Sequence, residues 1–143
     1  MSAAEALRRL LELVQLLQLH REVSQRFLAG DASLAASRAR IALWTAQQLE
    51  RRLPPQCAGL TSSGWRLLAR MTRKRSISAR ESDTLHAVLI RQYLAAAERL
   101  SAPTGFAEAL DGLRHSLSAG KLAIQAQLQA CFRALTAKNL AAD

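Results

Sequence analysis

Apolar residues recur every three or four positions through most of the chain, the spacing that places them on one face of an α-helix. In the first segment, one such column contains Leu10, Val14 and Leu17. The same steps lead next to Arg21, so a guanidinium group continues the apolar column, and His20 lies in the neighbouring one. The pattern therefore predicts a long first helix whose inner face includes at least one polar side chain.

Capping signals predict where the first two helices begin. Ser2 and Glu5 have the S-x-x-E spacing in which the serine oxygen and the glutamate each satisfy an exposed backbone N–H. Gly30 ends this helix, and Asp31 caps a second one that runs to about Leu53, just before two prolines. The residues of the second helix that we expect to face inward are Leu34, Ile41, Trp44 and Leu49.

Three further helices are expected in the remaining sequence. A short one begins at Ser62 or Ser63, a second S-x-x-E box from Ser78 opens the next, and Thr104 caps the last and longest. Gly120 interrupts that last helix, either at a kink or where another backbone comes close. The predicted inward-facing residues are Trp65, Leu68, Met71, Leu85, Val88, Leu89, Tyr93, Leu100, Phe106, Leu110, Leu113, Leu117, Ile124, Leu128, Cys131 and Leu135.

The elements together predict an all-α fold, an up-and-down bundle of four long helices plus one short helix. Composition agrees with this, because half of the residues are hydrophobic, mainly Ala and Leu, and only 4% are aromatic. A chain of 143 residues is long enough to bury its own core, and we expect residues 1–143 to form one domain.

The cysteines and the N-terminal segment bear on location. Cys57 and Cys131 are too few and too far apart for a disulfide scaffold or a metal site, so both are expected to be reduced thiols. Charged residues interrupt the first segment, and no run approaches about 18 apolar residues. We therefore expect a cytoplasmic protein that does not associate with membranes.

The formal net charge is +9, from 20 Lys and Arg against 11 Asp and Glu. Most of the basic residues are arginines, whose planar guanidinium groups bind carboxylates, phosphates and similar oxyanions through two parallel hydrogen bonds. The excess positive charge indicates an anionic partner, but it does not identify the anion.

No pattern of catalytic residues is visible. The chain shows neither a nucleophile near a base nor paired carboxylates at a recognisable spacing. His20, His86 and His115 lie on three different predicted helices, without the spacing of metal ligands. We expect a protein that is not an enzyme and that holds no metal and no cofactor.

Arg21 is the centre of the candidate ligand site. Gln18, His20 and Ser24 lie within one helical turn of it, and Arg91 lies among apolar residues of another predicted helix. Two arginines from separate helices turned toward one crevice would hold a small oxyanion, because a buried guanidinium is costly without a negative partner. The ordinary alternative is that Arg21 lays its methylene groups on the core and carries its charge to solvent.

A basic tract provides the alternative site. Residues 66–80 contain six basic side chains and no acidic one, and such a surface could neutralise the phosphates of a nucleic acid. Against this, the tract has only Trp65 beside it for base stacking, and no known nucleic-acid-binding motif is visible. It could equally be a solvated loop. The basic residues are Arg66, Arg70, Arg73, Lys74, Arg75 and Arg80.

Residues 17–31, LQLHREVSQRFLAGD, resemble the opening motif of nitrate- and nitrite-sensing (NIT-type) helical domains, whose first helix carries Leu-Gln-x-Glu/His-Arg-Gly-x-Ser. Residues 89–93, LIRQY, are similar to that family's second pattern, an apolar pair and a tyrosine on a central helix. The resemblance implies a helical sensor in which arginines, including Arg21, hold a planar oxyanion. Glu22 replaces the usual glycine, which adds a negative charge beside the implied site.

The leading hypothesis is thus a cytoplasmic regulatory bundle that binds a small anion such as nitrate or nitrite near Arg21. Because no output domain is recognised in the sequence, its signal would pass through a protein partner or a homodimer. One alternative is a nucleic-acid-associated protein that uses the basic tract. Another is a protein-interaction module, such as a secretion chaperone or adaptor, with an exposed apolar groove.

Overall fold

The computed structural model describes residues 2–51, 63–101 and 107–142, with the side chains of all of these except 107 and 137–142. Every regular element in these ranges is helical, which confirms the all-α class. The helices are α1 (Ala3–Leu28), α2 (Ala35–Glu50), α3 (Ser63–Arg73), α4 (Ala79–Ser101), α5 (Ala107–Ser116) and α6 (Lys121–Ala142), with a 3₁₀ turn at Ala32–Leu34.

Both serine caps are present. Ser2 Oγ accepts a hydrogen bond from the backbone N–H of Glu5 at 3.1 Å, at the start of α1. At the start of α4 the box is reciprocal: Glu81 N–H donates to Ser78 Oγ at 3.0 Å, and Ser78 N–H donates to Glu81 Oε1 at 3.1 Å. These hydrogen bonds lower the pKa of Glu81. Short-range capping signals therefore located two helix starts correctly.

The joint between α1 and α2 differs from the expected single cap. Gly30 adopts a positive φ of 119°, which ends α1 as predicted. The Asp31 carboxylate accepts from Ser33 N–H and caps the 3₁₀ turn, so α2 begins only at Ala35. Helix α2 ends at Glu50, before the predicted end at Leu53, which lies outside the described residues.

Helix α1 is the central element of the core. It packs against α4, α2 and α6, and α5 packs against α6 and α4. Its leucines Leu10, Leu11 and Leu17 are fully buried, as are Ile90 and Leu94 of α4. Each such side chain contributes about 1.5–3 kcal/mol through the removal of apolar surface from water. This packing fixes which face of α1 is turned toward α4.

Three of the residues predicted to face inward are instead exposed: Trp44 by 46%, Val88 by 45% and Leu85 by 39%. On α4 the column that faces the core is His86, Ile90, Tyr93 and Ala97, one position around the helix from Leu85. On α2, which is rich in alanine, the fully buried side chains are Arg38 and Thr45. Where apolar residues surround a helix, the neighbouring helices decide which of them are covered.

The predicted last helix is two helices, α5 and α6. Gly120 has a φ of +112°, and a Cβ placed there would meet no atom within 4 Å. The glycine therefore serves the turn between the two helices, and no backbone approaches it closely. The predicted apolar stripe from Leu110 to Leu135 is buried in both helices. Phe106 and Thr104 lie outside the described residues.

Among the helices described, none combines the length and the apolar character needed to cross a membrane.

Candidate anion-binding sites

The Arg21 side chain is buried and already has a negative partner. The residue is 8% exposed, and its Nε donates a hydrogen bond to Asp83 Oδ1 of α4 at 2.7 Å. Its Nη1 donates to Gln18 Oε1 at 3.3 Å. The ion pair joins α1 to α4, and its carboxylate is 34% exposed. The negative charge that burial of Arg21 demands is thus supplied by the protein itself.

A cavity of about 510 Å³ opens beside this ion pair, between α1, α4 and the first residues of α6. Arg21, Arg91 and Lys121 bring three positive charges to its wall, one from each helix, and Glu22 and Asp83 bring two negative charges. We call this cavity the Arg21 crevice. Its walls carry a formal charge of +1, from three cations and two carboxylates.

Two ion pairs hold the charges of the Arg21 crevice in place. Besides the Arg21–Asp83 pair, Lys121 Nζ lies 3.5 Å from Glu22 Oε2 and ties α6 to α1. Gln18 Nε2 also donates to Glu22 Oε1 at 3.2 Å. Glu22 stands where the NIT-type motif usually has glycine. Its negative charge is therefore offset by the positive charge of Lys121. Arg91 is exposed and forms no ion pair within the described ranges.

The structure brings together three of the five residues predicted for the ligand site, namely Gln18, Arg21 and Arg91. His20 and Ser24 do not line the crevice; both are fully buried, and His20 contacts His86 of α4 while Ser24 contacts His20. Asp83 and Lys121 do line it, and no sequence motif pointed to them, because they lie 62 and 100 residues beyond Arg21.

A buried histidine pair lies next to the Arg21 ion pair on the same two helices. His20 Nδ1 is 2.7 Å from His86 Nε2, and His86 Nδ1 is 2.6 Å from the carbonyl oxygen of Ser82. A carbonyl oxygen can only accept, so His86 Nδ1 carries a proton and His86 Nε2 accepts from His20 Nδ1. The two hydrogen bonds therefore fix the tautomers of both rings.

Both histidines are neutral at pH 7. Burial, reinforced by the charges of His86 and Arg38, lowers the pKa of His20 to about 2. Burial also lowers the pKa of His86 to about 4, although the hydrogen bond to Ser82 opposes the shift. The His20 ring meets Trp65 edge-on at 4.7 Å, and its Nε2 has no hydrogen-bond partner among the described residues. The pair acts as an uncharged polar contact that sets the register of α1 against α4.

The basic tract is divided between elements. Arg66, Arg70 and Arg73 of α3 line a second cavity, of about 460 Å³, together with Arg38 of α2. We call this cavity the arginine pocket; no carboxylate is among the described residues that line it. The other three basic residues of the tract, Lys74, Arg75 and Arg80, follow α3 and enter α4, and all are exposed.

The described residues include no cluster of three or more potential metal ligands from His, Cys, Asp and Glu. Cys131 is a free, buried cysteine, and burial raises the pKa of its thiol to about 11, so it stays protonated. Cys57 lies outside the described residues.

Comparison of the chain with protein-family models, with curated proteins and with solved structures gave no match.

Proposed function

We propose that the protein is a non-enzymatic regulatory bundle whose Arg21 crevice binds a small oxyanion of the nitrate or nitrite type. The observation that carries this proposal is the convergence of Arg21, Arg91 and Lys121, from three different helices, on one cavity. A planar oxyanion can accept two hydrogen bonds from one guanidinium and further ones from its neighbours. The resemblance of residues 17–31 to NIT-type domains supports the same ligand class.

The mechanism is competition for cations that already hold carboxylates. A bound anion shares Arg21 with Asp83 and Lys121 with Glu22, so it weakens the contacts that tie α1 to α4 and α6. The population of helix arrangements shifts toward the one that holds the anion better. Because the anion competes with Asp83 and Glu22 for these cations, we expect weak binding, with a dissociation constant on the order of a millimolar.

The partner that reads this change is a protein or a second copy of the chain. Several large apolar side chains are exposed: Leu43, Trp44, Leu67 and Leu122, by 57%, 46%, 52% and 80%. Tryptophan is enriched at protein contact surfaces, so Trp44 is the side chain of this group that favours a protein partner most. We place the protein in the cytoplasm.

Thermal unfolding in nitrate, nitrite, phosphate and sulfate, at ionic strength fixed with chloride, tests the proposal. Nitrate or nitrite should raise the melting temperature of the wild type and of Arg8→Met, a control on an exposed residue of α1. Arg91→Gln removes an exposed cation of the crevice wall and should abolish the rise while leaving the fold intact. Absence of any ion-specific shift in the wild type contradicts the proposal.

A second candidate is a nucleic-acid-associated protein, which the shared face of Arg66, Arg70 and Arg73 on α3 favours. It requires salt-sensitive binding of DNA or RNA that neutralising the tract weakens and that Arg91→Gln leaves unchanged. Measuring oligonucleotide binding by fluorescence anisotropy at two salt concentrations separates the two functions.

A further inference from the structure

The arginine pocket carries the most unbalanced charge in the described part of the molecule. Four guanidinium groups line it, three from α3 and one from α2, and none of the described residues on its wall is a carboxylate. The three on α3 are spaced by four and three residues, so they share one helix face. Glu50 shares a small neighbouring cavity with Arg66 but forms no ion pair with it in the described ranges.

Arg38 is the residue that makes the arginine pocket more than a basic surface. It is only 6% exposed, and its Nε has no hydrogen-bond partner among the described residues. Burial, together with the charge of Arg73, lowers the pKa of its guanidinium. A charged group in such a place is costly unless a negative partner is present.

The other contacts of Arg38 provide no such partner. Its guanidinium carbon lies 5.3 Å from the centre of the Phe27 ring. Arg75, held in the left-handed backbone region at φ 53°, approaches the same ring at 4.3 Å. Cation–π contacts stabilise both arginines to some extent, but they bring no negative charge. The stacking on Phe27 positions the cations without neutralising them.

The rest of the arginine pocket is shaped for a small molecule. Apart from the arginines, its lining consists of Trp65 and of alanines from both helices, whose short side chains occupy little of the space. The alanines are Ala39, Ala42, Ala46 and Ala69. The volume of about 460 Å³ lies in the usual range for metabolite sites. Guanidinium donors beside apolar side chains suit a ligand with one charged end and one apolar or aromatic end.

We propose that the arginine pocket binds a compact phosphate-bearing metabolite with at least two negative charges, held by Arg38 from α2 and by the arginines of α3. Guanidinium groups bind phosphate oxygens in pairs, and several of them around one group favour a multiply charged anion over a monoanion. The ligand neutralises Arg38 and cross-links α2 to α3. This site shares no residue with the Arg21 crevice and is independent of the function proposed there.

A nucleic-acid strand fits these observations less well. An extended backbone would contact the exposed residues Lys74, Arg75 and Arg80, and it would have no need of a buried arginine. Arg38 lines the cavity, whose volume of about 460 Å³ is sufficient for a compact phosphate.

Isothermal titration of the whole chain with pyrophosphate, inorganic phosphate and a single-stranded oligonucleotide, at fixed ionic strength, tests the proposal. Pyrophosphate should bind at one saturable site and more tightly than phosphate. Arg38→Met keeps the length of the side chain and removes the charge, and should weaken pyrophosphate binding about tenfold or more. Arg40→Met, an exposed position on the same helix, is the matched control and should bind like the wild type.

The variants also separate loss of the site from loss of the fold. Without ligand, Arg38→Met should melt no lower than the wild type, because it removes a buried unpaired charge. If it does unfold, the exposed Arg70→Gln should show the same loss of pyrophosphate affinity. Arg91→Gln should bind pyrophosphate normally, whatever the response to nitrate. The proposal is overturned if pyrophosphate shows no saturable binding, if Arg38→Met and Arg70→Gln bind it like Arg40→Met, or if the oligonucleotide alone binds.

Discussion

The Arg21 crevice and the arginine pocket each contain an almost completely buried arginine, and the two arginines differ in their partners. Arg21 donates to Asp83 across two helices, whereas Arg38 has no carboxylate partner in the described part of the chain and stacks on Phe27. A buried arginine with a carboxylate is a cross-link that an anion must compete for. A buried arginine without a carboxylate is an uncompensated positive charge, which a bound anion would neutralise.

The largest expected effect concerns the histidine pair that fixes α1 against α4 on the Arg21 side. The pKa of His20 falls to about 2 and that of His86 to about 4 in the folded state, below the unfolded value of 6.5. The unfolded chain therefore binds more protons at acid pH, and stability is lost as pH falls through 6.5. Between pH 7 and pH 5 the free energy of unfolding should drop by about 3 to 4 kcal/mol.

Urea unfolding followed by circular dichroism at pH 7 and pH 5 measures this drop. His86→Gln should remove about half of it, and Arg8→Met, which changes an exposed residue of α1 that stays charged between these pH values, should leave it unchanged. An equal pH dependence in all three proteins would show that the buried pair does not control acid stability.

The next effect breaks the cross-link of the Arg21 crevice. Asp83→Ala leaves the Arg21 guanidinium buried without its carboxylate and should lower the free energy of unfolding by about 2 to 3 kcal/mol. The loss falls below that of a fully buried pair because the Asp83 side chain is 34% exposed. Urea unfolding at pH 7 gives the value, with Asp111→Ala, which removes an exposed pair with Arg114 inside α5, as the comparison. Equal losses in the two variants would mean that burial of Arg21 adds nothing.

The smallest effect on stability is expected at Arg38. Arg38→Met should raise the free energy of unfolding by between zero and about 1 kcal/mol, because it removes a buried charge that has no negative partner among the described residues. The contrast in sign with Asp83→Ala is the direct consequence of one arginine being paired and the other not. A loss of several kcal/mol in Arg38→Met would indicate that Arg38 has a stabilising partner.

The features that were predicted correctly depend on residues close together in sequence. The serine caps of α1 and α4, the break at Gly120 and the buried stripe of α5 and α6 all follow from spacings of three or four residues. The same spacing predicted that the inner face of α1 includes a polar side chain, and Arg21, which continues the apolar column, is buried. Short-range sequence patterns predicted burial well where the apolar and polar residues of a helix lie on separate faces.

The features that were missed depend on how the helices meet. Arg38 gave no signal, because α2 has five alanines among its 16 residues and its sequence does not define an inner face. The partners Asp83 and His86 are more than 60 residues from Arg21 and His20, and neither has a motif of its own. The prediction that Leu85 and Val88 are buried was wrong because apolar residues lie on more than one face of α4, and its sequence alone does not show which face is covered.

The most direct test of the Arg21 crevice as an anion site is the thermal unfolding of Asp83→Asn with and without nitrate, beside the wild type. The asparagine keeps the shape and removes the competing charge. If nitrate binds Arg21 in competition with Asp83, it should raise the melting temperature of Asp83→Asn by more than that of the wild type. A smaller rise, or none, in the variant would contradict competition at this site.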